Sequence, residues 1–193
     1  MKLILASQSP RRKQILKDAA FDFQIEIAAT NEAYPSDLDC ELIPEFIAKE
    51  KAEVVVGNLK SRNEWLKGTV VLAADTIVVL NGKIIGKPKD EADATHILQQ
   101  LSGKIHEVIT GVYIKTFEEE YSFHSLTKVE FNHLSSAQID YYIQNYKPFD
   151  KAGAYAIQEW IGMIGVAKIE GDLYNVIGLP INKVARLLNE IKG

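Results

Sequence analysis

The sequence contains a single cysteine, Cys40, among its 193 residues. One thiol cannot form a disulfide within the chain, so the framework of a small disulfide-stabilised secreted protein is excluded. The N-terminal apolar run extends only from Leu3 to Ala6, which is too short for a signal peptide. Because a reducing compartment suits this cysteine usage, we expect a cytoplasmic protein.

Long apolar runs and excess positive charge are also missing. No run approaches the roughly 20 residues that a membrane-spanning helix needs, so we expect no membrane partner. The formal net charge is −4, whereas nucleic-acid-binding proteins usually carry a basic surface, so we expect no nucleic-acid partner. Hydrophobic residues make up 47% of the chain, which is ordinary for a globular protein, and we expect one domain over residues 1–193.

Several catalytic motifs are absent from the sequence. It has no GxxxxGK[ST] phosphate loop, no GxSxG nucleophile turn, no HExxH helix and no CxxC pair. These absences argue against a P-loop enzyme, a phosphotransferase of the kinase type, a serine hydrolase and a zinc protease.

An acidic residue interrupts the most apolar stretch of the chain. Residues 70–80 form a predicted buried strand that contains Asp75 and Thr76, and the following Asn81-Gly82 pair predicts a hairpin. An ionised carboxylate in a buried strand costs free energy unless it is paired or binds a cation. Asp75 is therefore a candidate site residue. The alternative is a bulge at which its side chain bonds nearby backbone and faces water.

The first predicted helix begins with an unusual concentration of positive charge. Ser9 is a good N-cap and Pro10 suits the first helical position, but Arg11, Arg12 and Lys13 follow at once. Three cations at the positive end of a helix dipole repel one another, and a bound anion would relieve that repulsion. This segment is therefore a candidate phosphate site. The alternative is a solvated basic face with an ordinary cap.

A further cation lies on the inner face of a second predicted helix, from residue 43 to about 59. Lys51 is four residues from both Ile47 and Val55, so it belongs to the apolar stripe. It either extends along its neighbours to water or directs its ammonium into a cleft. The loop that precedes this helix is acidic.

Predicted strands and helices alternate along the chain, which indicates an α/β fold with a mixed sheet. The predicted strands are 2–6, 21–29, 70–80, 83–85, 106–114, 121–131 and 161–169, the last as a strand or a turn-rich entry to one. The predicted helices are 10–20, 43–59, 90–101, one that starts at Ser135 or Ser136, and one that starts at Pro180.

Three sequence blocks, which span nearly the whole chain, resemble one known family. They are LASQSPRR at 5–12; ADT at 74–76 with NG at 81–82, GKP at 86–88 and LSG at 101–103; and KAGAY at 151–155 through Gln158 to NVIGLP at 175–180. In order and content they resemble the Maf family of nucleoside triphosphate pyrophosphatases. The resemblance implies a curved mixed β-sheet flanked by helices, of Maf/ITPase-like type, with two lobes and a central cleft.

The resemblance also implies a reaction. A nucleoside triphosphate is hydrolysed between its α- and β-phosphates to the monophosphate and pyrophosphate, with the help of a divalent metal cation, Mg²⁺ or Mn²⁺. Asp75 matches the proton acceptor, and Glu32 with Asp75 matches the positions associated with the metal. The matching phosphate-contacting positions are Ser7, Arg11, Arg12, Lys51 and Lys87. A homodimer is compatible with the family.

Three positions resemble the branch that acts on dTTP and UTP: Arg11, Thr76 and Gln158. A glutamine side chain offers both a donor and an acceptor, which suits the imide edge of uracil or thymine. Modified pyrimidine nucleotides are further candidate substrates. Trp160, two residues after Gln158, either stacks on a base or belongs to the core, and we favour the core.

A second class of function is also compatible with the sequence. A regulatory protein of cell division or septum formation would bind a nucleotide without turning it over. That hypothesis predicts nucleotide binding with no monophosphate product.

Overall fold

Strands and helices alternate along most of the chain, as the sequence predicts. The computed structural model of the protein describes residues 1–27 and 29–192. The strands are β1 (Lys2–Leu5), β2 (Phe23–Ile25), β3 (Thr69–Leu80), β4 (Lys83–Ile85), β5 (Ile105–Lys115), β6 (Glu120–Phe131) and β7 (Val166–Glu170). The helices are α1 (Pro10–Asp18), α2 (Ile43–Ser61), α3 (Glu91–Leu101), α4 (Ser136–Tyr146), α5 (Trp160–Gly165), α6 (Leu173–Ile177) and α7 (Ile181–Lys192), with short 3₁₀ turns at Cys40–Leu42 and Ala152–Ala154.

The seven strands form one open mixed sheet in the order β2-β1-β3-β5-β6-β7, and β4 pairs with β3. β1 runs parallel to both β2 and β3, whereas β4 and β7 run antiparallel to their partners. The predicted mixed sheet flanked by helices is therefore confirmed. Within the described residues, no helix has both the length and the apolar character needed to cross a membrane.

The chain divides into two compact units. The first comprises the described residues of 1–75, 110–125 and 178–193, and the second comprises 76–109 and 126–177. We call them unit 1 and unit 2. Their boundary on β3 falls between Asp75 and Thr76.

Unit 1 is built on close packing between α2 and the sheet. Ala48 and Ala52 are fully buried, and they belong to a cluster that includes Val71 and Tyr113. Gly111 of β5 permits this proximity, because a Cβ there would lie 2.1 Å from the backbone nitrogen of Glu45. Small residues at the contact thus bring α2 against the strands.

The core of unit 2 combines apolar packing with a buried polar pair. His106 Nε2 and the hydroxyl of Tyr155 are hydrogen-bonded at 2.7 Å, and both rings pack edge-on against Phe131. Burial raises the pKa of Tyr155, so its hydroxyl stays protonated. Trp160 packs partly buried against this core and lies 4.6 Å from Tyr141 between ring centroids, which agrees with the core assignment.

The local turn and cap signals are confirmed. Asn81 and Gly82 have φ values of +51° and +74°, the left-handed conformations that a two-residue hairpin turn of this type requires. Ser9, Asp90 and Ser135 each cap the helix that follows through a side-chain oxygen. Such signals act within a few residues, so the sequence reports them reliably.

Two predicted strands are wrong in extent. The strand predicted at 21–29 is only Phe23–Ile25, and Ile25 and Ile27 are about half exposed. β2 lies at the edge of the sheet beside β1, and Phe21 and Phe23 are only partly buried, so the apolar alternation there does not mark a long buried strand. Residue 28 of that prediction lies outside the described residues.

The strand predicted at 161–169 is helical in its first half and extended in its second, as α5 and β7. The helical part is favoured because the Gly162 N–H donates to the Glu159 carbonyl at 2.9 Å. Gly162 also packs so closely on the Ile157 carbonyl that a Cβ would lie 1.7 Å from that oxygen. A contact between these residues, and not apolar periodicity, decides the conformation.

The buried His106 predicts an acid-sensitive stability. It is 1% exposed, and burial lowers the pKa of His106 to about 4 from 6.5. The unfolded chain therefore binds the proton first, so the free energy of unfolding falls as pH decreases from 6.5 to 4 and the loss levels off below. The expected loss from this group is about 3 kcal/mol. His106→Gln is expected to remove this pH-dependent loss. Urea unfolding at a series of pH values measures the free energy of unfolding of both proteins.

Other groups titrate equally in both proteins, so the difference between the two pH profiles isolates His106. The exposed His96 offers a matched control, and His96→Gln is expected to keep the wild-type profile. Parallel profiles for wild type and His106→Gln would show that His106 does not carry the effect.

Candidate active site

Six of the nine sequence-predicted site residues lie in unit 1, and three lie in unit 2. Those in unit 1 are Ser7 after β1, Arg11 and Arg12 in the first turn of α1, Glu32 in the loop before α2, Lys51 in α2, and Asp75 on β3. Those in unit 2 are Thr76 on β3, Lys87 after β4, and Gln158 in the turn before α5.

The parallel pairing of β1 and β3 brings Ser7 and Asp75 to the same edge of unit 1. Leu5 lies opposite Leu72, and the Ala6 N–H donates to the Leu72 carbonyl at 2.8 Å. β1 ends there while β3 continues, so Asp75 lies on the segment of β3 that extends past the end of β1. Ligands of α/β sheets bind beyond the carboxyl ends of parallel strands.

Lys51 joins the two acidic residues of the site. Its Nζ lies 2.7 Å from Asp75 Oδ1 and 2.7 Å from Glu32 Oε1. The Lys51 and Asp75 side chains are only 12% and 14% exposed, so each charge is stabilised chiefly by its partner. The alternative in which the Asp75 side chain faces water is wrong, since that side chain is 14% exposed and its carboxylate accepts a hydrogen bond from the Lys51 ammonium.

Glu32 reaches this position from a left-handed backbone conformation. Its φ is +52°, which is uncommon for a residue with a Cβ. The neighbouring Asn31 side chain accepts a hydrogen bond from the Ala33 N–H at 3.3 Å and so supports the turn. Strained backbone of this kind persists where other contacts hold it, and here the contact with Lys51 does so.

Polar contacts of both its backbone and its side chain hold Arg12 in place. Its Nε donates to the Gly178 carbonyl at 2.8 Å, its Nη1 donates to the Ser7 hydroxyl at 3.3 Å, and its backbone N–H donates to Ser9 Oγ at 3.4 Å. Gly178 has a φ of +130°, a conformation that favours glycine, so the NVIGLP block supplies a fixed carbonyl for this guanidinium. Sequence reasoning missed that role, although the glycine in the block was a signal.

The guanidinium of Arg12 lies within the field of the same carboxylates. Burial lowers the pKa of Arg12, the attraction of Asp75 opposes that shift, and Arg11 and Glu32 act with smaller and opposite effects. An arginine stays protonated at neutral pH in spite of such burial. The alternative of a solvated basic face is therefore wrong for Arg12, which is only 8% exposed.

In unit 2, Gln158 and Lys87 are exposed and Thr76 is half-buried. Sequence reasoning missed Lys151, the first residue of the KAGAY block. It is 7% exposed, and its Nζ lies 2.7 Å from Asp150 Oδ1 and 3.6 Å from Glu159 Oε1. Its position inside the KAGAY block was the sequence feature that could have identified it.

The donor set of unit 1 fits a small hard cation. Glu32 and Asp75 present oxygens to one ammonium, and carboxylate oxygens are the ligands that Mg²⁺ and Mn²⁺ prefer. The described part of the chain has no cluster of three or more His, Cys, Asp or Glu side chains that would enclose a metal. Mg²⁺ commonly binds through one or two carboxylates and completes its shell with water and phosphate oxygens, so two carboxylates are sufficient.

Fold and site together define an α/β protein in which acidic and basic side chains meet at the strand ends of unit 1. Comparison with known proteins identifies the family: residues 2–191 match the one described as Maf-like protein, and the chain belongs to it.

Two bacterial relatives are named dTTP/UTP pyrophosphatase. The one from Cytophaga hutchinsonii is 48% identical over 94% of this chain and 80% of its own length. The one from Phocaeicola vulgatus is 47% identical over 99% of this chain and 95% of its own length. Among solved structures, the Ham1 protein of Staphylococcus aureus aligns with a TM-score of 0.48 and 16% identity over 68% of this chain and 72% of that one.

The ion pairs of Lys51 predict a large effect of removing its ammonium. Lys51→Met leaves the Asp75 and Glu32 carboxylates adjacent and uncompensated, so the free energy of unfolding is expected to fall by about 1–3 kcal/mol. Adding Asp75→Asn to that variant is expected to restore part of the loss. Urea unfolding monitored by circular dichroism measures both changes.

Lys49→Met is the matched control on the same helix. Lys49 is half exposed and lies 3.5 Å from Glu120, so its loss is expected to cost less than about 0.5 kcal/mol. Equal losses in the two lysine variants would contradict the assignment.

Proposed function

We propose that this protein is a nucleoside triphosphate pyrophosphatase that hydrolyses dTTP and UTP, and modified pyrimidine nucleotides of the same shape. The observation that carries the proposal is the Asp75 carboxylate bound to Lys51 together with Glu32, in the field of the buried Arg12. The names of the relatives support the choice of substrate. The products are the nucleoside monophosphate and pyrophosphate.

The cationic groups of unit 1 bind the triphosphate. The first turn of α1 contains no acidic residue, so its positive dipole end favours an anion. Arg12 is already oriented by Gly178 and Ser7, and an oriented guanidinium binds phosphate oxygens with little further loss of conformational freedom. Arg11 and Lys51 add positive charge that offsets the charge of the triphosphate.

Asp75 accepts a proton from the attacking water. The water oxygen forms a bond to the α-phosphorus, and the bond between that phosphorus and the oxygen bridging to the β-phosphate breaks. The electron pair of the broken bond leaves with pyrophosphate, whose charge the basic side chains stabilise. The hydrogen bond from Lys51 holds the Asp75 carboxylate in a fixed orientation before substrate binds.

Glu32 and Asp75 would hold a divalent cation, Mg²⁺ or Mn²⁺. When bound, such a cation neutralises phosphate charge and polarises the reacting phosphoryl group. Lys51 contacts the same two carboxylates, so its ammonium would share them with the cation or be displaced toward phosphate.

Base selection is assigned to Gln158, with Thr76 and Arg11. The exposed amide of Gln158 offers the donor and acceptor that an imide edge requires. Lys87 is the remaining proposed phosphate contact.

We propose a single Maf-like domain over residues 1–193, a cytoplasmic location and a homodimer, with no nucleic-acid or membrane partner.

Asp75→Asn tests the reaction itself. The amide cannot accept the proton, so kcat is expected to fall by about 10²–10⁴-fold while the fold is kept. Purified protein is incubated with Mg²⁺ and a panel of canonical and modified nucleoside triphosphates, and the products are separated by ion-exchange chromatography. Asp22→Asn, an exposed aspartate, is the matched control and is expected to retain activity.

Monophosphate and pyrophosphate from dTTP and UTP, lost in Asp75→Asn, is the expected outcome. Diphosphate and phosphate would mean that a different bond is cleaved. Binding without turnover of any nucleotide would instead support the regulatory hypothesis.

Glu32→Gln tests the metal site. Replacing one of two carboxylate ligands is expected to raise the Mg²⁺ or Mn²⁺ concentration needed for half-maximal activity by about 10–100-fold, with a smaller effect on kcat at saturating metal. Mn²⁺ titration followed by electron paramagnetic resonance, without nucleotide, measures the affinity directly. An unchanged Mn²⁺ affinity would remove Glu32 from the site.

A further inference from the structure

The proposed base-selecting residue Gln158 lies in a tight turn of unit 2. The Glu159 N–H donates to the Ala156 carbonyl at 3.0 Å, which closes a four-residue turn over 156–159. Gln158 is the third residue of this turn and its side chain is exposed. An exposed side chain on a turn selects a base precisely only if the turn backbone is fixed.

One buried hydroxyl holds both ends of that turn. Tyr142 of α4 is fully buried, and its hydroxyl accepts a hydrogen bond from the Ala156 N–H at 3.1 Å. The same hydroxyl donates to Glu159 Oε2. Ala156 and Glu159 are the first and last residues of the turn, so Tyr142 contacts the backbone at one end and the side chain at the other.

Two further contacts support the same turn. The Nζ of the buried Lys151 lies 3.6 Å from the other carboxylate oxygen of Glu159. Gly162 of α5 packs on the Ile157 carbonyl with no space for a side chain. These contacts hold the backbone on either side of Gln158, while the Gln158 side chain itself faces solvent.

Tyr142 is itself anchored. α4 begins with a capping box between Ser135 and Gln138, and the Tyr142 ring stacks on Tyr146 at 5.1 Å between centroids. The hydroxyl is therefore presented by a rigid helix and not by a second loop.

We infer that Tyr142 is a positioning residue for nucleotide selection, which acts through Ala156 and Glu159 to orient Gln158 toward the pyrimidine base. The inference rests on the proposed function, because it assigns a means of specificity to that reaction. Tyr142 does not contact the reacting atoms. Its contribution is expected in substrate binding and discrimination and not in the chemical step.

Tyr142→Phe removes the hydroxyl and keeps the buried ring. We expect KM for UTP and dTTP to rise about tenfold, with kcat changed less than about twofold, because the chemical groups of unit 1 are untouched. The dissociation constant for a non-hydrolysable UTP analogue, measured by calorimetry, is expected to rise by the same factor. Tyr146→Phe, which removes the hydroxyl of the neighbouring stacked ring, is the matched control and is expected to behave as wild type.

A double-mutant cycle with Gln158→Ala separates positioning from general stabilisation. If Tyr142 acts through Gln158, then adding Tyr142→Phe to Gln158→Ala has little further effect on KM or on analogue binding. Glu159→Gln keeps an oxygen that accepts from Tyr142 and is expected to retain most of the affinity, whereas Glu159→Ala is expected to resemble Tyr142→Phe. Circular dichroism melting identifies any variant that fails to fold, and the Glu159 pair then carries the test.

Equal effects of Tyr142→Phe in the two backgrounds would overturn the inference, as would an unchanged KM and analogue affinity. A fall in kcat alone would also overturn it. Wild-type protein that binds the analogue but does not hydrolyse UTP would contradict the proposed function, and the binding cycle would still decide the role of Tyr142.

Discussion

The structure of unit 1 depends on the pairing of charge on a buried strand. Asp75 lies on β3 between buried apolar residues, and an isolated carboxylate there would be strongly destabilising. Lys51 removes that cost only because α2 packs closely enough to bring its ammonium within 2.7 Å. Gly111 and the alanines of α2 are what permit that packing. The site therefore depends on the core of unit 1, because the small residues there allow the packing that brings Lys51 and Asp75 together.

The need to pair buried polar groups also links sequence blocks that lie far apart along the chain. Arg12 belongs to the first block and is buried, so it needs an acceptor, and Gly178 of the last block supplies its carbonyl across 166 residues. The first block thus contributes a buried polar group whose acceptor comes from the last block. Such contacts orient the charged groups before any ligand binds, which is the arrangement that efficient electrostatic stabilisation requires.

Unit 2 also contains buried polar side chains that are hydrogen-bonded to other groups of the unit. His106 Nε2 and the Tyr155 hydroxyl are hydrogen-bonded inside the core, and burial lowers the pKa of His106, so this histidine resists protonation. Tyr142 uses its buried hydroxyl to hold the backbone that carries Gln158. A buried hydroxyl has directional bonds that apolar packing lacks, so it can hold a turn in one geometry while the exposed side chain stays available.

The sequence by itself determined the features that depend on neighbouring residues. The hairpin at Asn81-Gly82, the helix caps and the alternation of strands and helices follow from local steric and hydrogen-bonding preferences. The sequence also marked Asp75 and Lys51, because each is a charge on an apolar face. Only the tertiary structure decided that these two meet, how short β2 is, and that Arg12 binds Gly178. Those outcomes arise from packing between distant segments, and neither periodicity nor spacing along the chain contains that information.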